Sequence, residues 1–131
     1  MPRTSDCDAA TRQGRLMKAE QFMTAAGIVL DLTEDDPKDL GAVYVTLVVH
    51  AGIAAADVIC CARLGQYSHG ENHSEAVDLL GSVNKKLASD LGVLLGMKTK
   101  AGYSALPISQ ENRTKAGRAV ERLMDAARRT R

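Results

Sequence analysis

Arg63, His69 and His73 fall close together in the chain, and their types suit chemistry at a phosphate. An arginine holds phosphate through its fork of N–H donors, and a histidine can move a proton near neutral pH. Brought together, such residues could cleave RNA: a base removes the 2′-hydroxyl proton and the oxygen attacks the neighbouring phosphate. A plainer reading competes. Arg63 near a helix C-terminus is favourable to the helix dipole, and the two histidines would pack a loop.

A second constellation lies upstream. His50 and Asp57 are seven residues apart, on one face of the most apolar helical segment, with Thr46 one turn before His50. A buried ionisable group needs a partner, because desolvation otherwise costs several kcal/mol. The expectation is a buried polar network of His50, Asp57 and Tyr103, or a lysine of the later loop. It reads either as a polar site inside a bundle or as a satisfied core. A carboxylate-bridged metal pair is not expected, since no Glu-x-x-His occurs, and Walker-type phosphate loops are also missing. No metal and no cofactor is expected.

These residues need helices to position them. After a loose arm over residues 1–8, Leu16, Ala19, Met23, Ala26 and Leu30 recur at helical steps and predict a helix over 9–30. Thr33 to Pro37 reads as a turn, with Asp36 as cap and Pro37 at the first helical position. The next helix, 37–64, is apolar on most faces and should be the most buried; Gly65 ends it. Asn72 and Glu75 suggest a capping box for a helix over 73–95, striped by Ala76, Leu80, Val83, Leu87, Leu91 and Leu94. Gly96 should stop it, and 97–108 should connect, with a turn of helix near Tyr103. Ser109 caps the last helix, 109–128, which turns Ala116, Ala119, Val120, Leu123 and Ala127 inward. The expected fold is all-α: one antiparallel bundle of four main helices over residues 9–129.

Composition agrees. The 131 residues hold 45% hydrophobic and 25% charged side chains, a globular balance, with one Phe and no Trp. So few aromatics give little platform for base stacking. Net charge is +1, but seven basic residues against three acidic ones lie between Glu111 and Arg131. That tail is the candidate for attracting polyanions, or simply a solvated helix face. Cys7, Cys60 and Cys61 form no framework and suggest reduced thiols in a cytoplasmic protein. Residues 42–62 are long and apolar enough for a membrane span, yet they contain His50 and Asp57, so a buried bundle helix is expected and no membrane.

Several segments run in a recognisable order. Arg15-Leu-Met-Lys-Ala-Glu-Gln-Phe22 lies on the first helix, and Ala51-Gly-Ile-Ala-Ala-Ala-Asp-Val-Ile59 on an Ala-rich second. His73-Ser-Glu-Ala-Val77 opens an apolar helix, and Lys98-Thr-Lys-Ala-Gly-Tyr103 precedes a last amphipathic one. Over about residues 15–128 this order resembles the HEPN superfamily, nucleotide-binding helical domains of higher eukaryotes and prokaryotes. Many of its members are RNA-cleaving toxins or effectors with an Arg-x(4–6)-His motif, paired across a dimer, and Arg63 to His69 matches that spacing. The chain departs from the pattern where Leu64 follows the arginine, a position usually polar in active members. It departs again at Lys98 and Gly102, where the family has arginine and aspartate.

The resemblance implies a HEPN-like homodimer that binds a nucleotide or RNA without cleaving it, with Lys98 and Lys100 as candidate phosphate contacts. Two alternatives stand beside it. One is a metal-independent ribonuclease of toxin or phage-defence type, using Arg63 with His69 or His73. The other is a structural adaptor for an antitoxin or other protein partner.

Overall fold

The computed structural model describes residues 3–32, 37–69 and 73–130. The expected Asp36 and Asn72 caps, and the turn before Pro37, lie outside the described residues. α1 (Ala9–Leu32) starts where the Asp8 carboxylate accepts the Thr11 amide at 2.7 Å. α2 spans Pro37–Leu64, matching the length of its apolar run, and ends where Gly65 turns left-handed at φ +68°.

The expected helix over 73–95 is two helices. α3 (His73–Gly81) stops, the chain turns through Ser82 and Val83, and α4 (Lys85–Gly102) begins at Asn84, whose side chain accepts the Leu87 amide at 3.0 Å. The amides of Val83 and Asn84 both donate to the Leu80 carbonyl and close the turn. Asn84 supplies the start that a continuous helix would not need, and Gly96 lies inside α4 instead of stopping it. α5 (Gln110–Arg128) starts at Ser109 as expected, with the Asn112 amide on the Ser109 hydroxyl at 3.1 Å.

α2 is the centre of the molecule. It packs against α1 on one side and against α4 and α5 on the other, while α1 meets α5 mainly through the Glu20–Arg128 ion pair. Val45, Val48, Ala51, Ala54, Ala55 and Val58 are fully buried along it. Small residues set the approach distances. α1 presents Ala19 and Ala26 to α2, and a Cβ at Gly52 would stand 2.3 Å from a Leu94 methyl carbon on α4. α5 brings Gly117 against the Tyr44 hydroxyl, 2.8 Å from where a Cβ would sit. Consecutive main helices run antiparallel, so α2 and α5 lie parallel at the core, as the pairing of Tyr44 with Gly117 and of Gly52 with Leu123 shows. The stretch Leu40–Leu64 has the length and hydropathy of a membrane span, and 67% of its most apolar window is buried inside the bundle.

The arm before α1 has structure where the sequence suggests a loose end. β1 (Thr4–Asp6) pairs antiparallel with β2 (Gln66–Ser68), Thr4 opposite Ser68 and Asp6 opposite Gln66. The Cys7 amide donates to the Gly65 carbonyl at 2.9 Å, and the His69 amide to the Arg3 carbonyl at 2.9 Å. Cys7 and Cys61 form a disulfide, which corrects the expectation of three reduced thiols; among the described residues only Cys60, which is buried, is free. The reversal at Gly65 makes this meeting possible, because it sends β2 back alongside the residues that lead into α1.

Candidate functional site

The α1–α2 seam places two of the expected polar residues, and it treats them differently. Asp57 is closed in, with a 14% exposed side chain, and receives Arg15 of α1 through Nε at 2.9 Å and Nη2 at 2.8 Å. Seven residues along each helix, His50 is exposed and its ring stacks on Phe22 at 5.2 Å between centroids. Tyr103 is 81% exposed at the end of α4. The expected network of His50, Asp57 and Tyr103 therefore does not assemble, and the partner of Asp57 is Arg15. The physical reason is coverage: α2 is apolar nearly all round, but α3 covers only its C-terminal half, so the stripe around His50 stays open.

Behind Asp57 lies a small cavity of about 110 Å³, walled by Ile53, Asp57, Cys60, Ser68, His73 and Leu91 among others. Burial pushes the Asp57 carboxyl up to about 6, against the opposing pull of Arg15. Burial, reinforced by the Asp57 charge, raises the Cys60 thiol to about 12, so Cys60 is no nucleophile. The His73 Nε2 lies 3.4 Å from the Lys98 Nζ. An ammonium can only donate, so Nε2 accepts and the neutral ring carries its proton on Nδ1. Burial and then Lys98 lower the His73 pKa. The Ser68 hydroxyl is sealed from solvent, with no hydrogen-bond partner among the described residues. Lys98, a candidate phosphate contact, is thus engaged with His73, while Lys100 is exposed elsewhere on α4.

Arg63 faces a different space. It lines an open groove of about 630 Å³ where the end of α2, the start of α4 and the end of α5 meet. Ile59, Leu87 and Ala126 contribute apolar wall, and Lys86, Arg122 and Arg129 join Arg63 as cations. Two of these are neutralised. Arg122 grips Asp90, which is 5% exposed, with Nε at 2.9 Å and Nη2 at 2.8 Å, and Arg129 pairs with Asp125 at 3.1 Å. Arg63 and Lys86 form no ion pair among the described residues. The first turn of α4, whose free amides and dipole favour an anion, carries no acid.

His69 belongs to neither space. It follows β2, and its Nδ1 is hydrogen-bonded to the Ser5 hydroxyl at 2.9 Å. Within one chain, then, Arg63 lines the groove, His73 the cavity, and His69 meets the arm. Sequence reading alone missed Lys86, Asn84 and Asp90. Asp90 carried a legible signal, since an acid between Leu87 and Leu94 on an apolar stripe must find a cation. Lys86 carried none, because only the break after Gly81 brings it to the groove. No family model, no curated protein and no solved structure matches the chain.

Proposed function

We propose that the chain is a non-catalytic module that binds a phosphate-bearing ligand, a nucleotide or RNA, in the groove between α2, α4 and α5. The observation that carries this reading is the pair of cations, Arg63 and Lys86, that have no ion pair among the described residues and lie beside the acid-free start of α4. No aromatic side chain lines the groove, so contact goes to phosphate and little to base. Binding is favoured over cleavage because no histidine shares the groove with Arg63. A HEPN-like bundle suits this reading: an Ala-rich central helix, a histidine opening the helix after it and an amphipathic last helix follow the order of that superfamily. A homodimer suits it too, because α1 leaves Met17, Ile28 and Leu32 exposed.

The test is fluorescence anisotropy with a labelled single-stranded RNA, and separately with ATP, as salt is raised. Binding should be strongest at low salt. Arg63→Glu with Lys86→Glu should weaken it strongly and, if two phosphates are neutralised, remove about 1.4 from the slope of log K against log salt. Binding unchanged in the double variant would overturn the assignment of the groove. Cleavage in the presence of a chelator, lost in Arg63→Ala, would replace binding by the ribonuclease reading. Failure to bind either probe would favour the adaptor.

A further inference from the structure

We propose that the Cys7–Cys61 disulfide is a redox latch on the N-terminal arm: a dithiol reductant opens it, and residues 3–7 then leave β2 while the helices stay folded. The proposal is independent of what the groove binds. It rests on how little else fastens the arm. Arg3, Thr4, Ser5 and Asp6 bring no apolar side chain to the core, and the substantial contacts of β1 are with β2 alone. Ordering a residue costs at least as much as one exposed backbone hydrogen bond returns. A two-stranded ribbon three residues long is not stable by itself. The Arg3–Glu75 pair, at 3.6 Å with Arg3 66% exposed, adds little.

The fixed side of the latch is secure without it. Asp8 caps α1 through Thr11, so the helix begins in place whether or not Cys7 is bonded. Cys61 is buried on α2 and Cys7 is half-buried on the arm, so an incoming thiolate has its access from the Cys7 side. Two electrons and two protons pass from the dithiol to the bond; Cys7 and Cys61 become thiols, and the reductant leaves as its own disulfide. The neighbouring Cys60 does not reshuffle the bridge, because its buried thiol holds its proton. Opening takes Ser5 from the His69 imidazole and Arg3 from Glu75, and it leaves β2 as an unpaired edge. The arm is closed in an oxidising compartment and open in a thiol-reducing cytosol.

The experiment is amide hydrogen exchange by NMR on the full chain, oxidised and in dithiothreitol, with Cys7→Ser as the permanently open form. The His69 amide, which donates to the Arg3 carbonyl, reports the arm; the Val48 amide, in the middle of α2, reports the bundle. Exchange at His69 should quicken about tenfold or more in both reduced protein and Cys7→Ser, the scale of a lost cross-link, and by clearly more than at Val48. Equal protection of His69 in all three states would overturn the latch. So would parallel loss at Val48, which would make the disulfide a staple of the whole bundle.

Discussion

The last turns of α2 divide two spaces of opposite character. Asp57 and Cys60 look into the small cavity, while Ile59 and Arg63 look into the open groove. On the cavity side the buried charge is compensated: Arg15 holds Asp57, while the Lys98 ammonium only donates a hydrogen bond to the neutral His73. On the groove side, Arg122 and Arg129 are compensated but Arg63 and Lys86 have no ion pair among the described residues. Charges that are buried and matched hold the fold together, whereas exposed and unmatched ones remain available to a ligand. Substitutions on the two sides should therefore separate stability from binding.

The largest effect should come from Arg15→Ala, which strands the Asp57 carboxylate. At pH 8 the loss should be about 3 kcal/mol in urea unfolding, since breaking one partner of a buried pair leaves an uncompensated charge. At pH 5 Asp57 is protonated and the cost should fall to about 1 kcal/mol; equal losses at both pH values would show that Asp57 is not the buried partner. The wild-type protein carries the same signature. An acid whose folded value is raised to about 6 binds its proton more tightly when folded, so its contribution declines as pH rises from about 4 to 6, by roughly 3 kcal/mol at most. Asp57→Asn should flatten that decline in a pH series of unfolding curves. His73 acts in the opposite sense. Its lowered value gives stability that is present above its unfolded pKa near 6.5 and lost as pH falls through it, so His73→Gln should reduce the loss on acidification.

A smaller effect is expected where the groove is built. Asn84→Ala removes the cap of α4 and should cost about 1 kcal/mol by thermal or urea unfolding. The smallest stability effect belongs to Arg63→Glu and Lys86→Glu, within about 0.5 kcal/mol each, although these two should strongly weaken binding of the RNA probe. A large destabilisation by either would mean that the groove cations hold the bundle, and the contrast between the two sides would collapse.

The sequence carried much of this architecture. α2 has its expected bounds because a long apolar run ends in glycine, and α5 begins at its serine cap. The break between α3 and α4 was hidden because the stripe from Ala76 through Val83 to Leu94 keeps its phase across the turn, both helices facing the same core. The exposure of His50 was hidden for the converse reason: a helix apolar on most faces does not reveal which face its neighbours leave bare. The disulfide joins residues separated by 54 positions, and its meeting point depends on the reversal at Gly65 and on the strand pairing, which no local pattern encodes. Of the site, Arg63 was legible as a cation at a helix end. Its separation from both histidines was not, because it depends on which side of α2 each loop residue takes.

α1 shares its surface almost entirely with α2, whereas α4 and α5 each share theirs with two main helices. The bundle is therefore graded in its resistance to opening. Lifting α1 breaks one packed seam and the Glu20–Arg128 ion pair, while releasing α5 breaks two packed seams. Fluctuations that lift the first helix as a unit should precede global unfolding, and exchange under native conditions should order the helices accordingly, α1 ahead of α5 and α4, with α2 last.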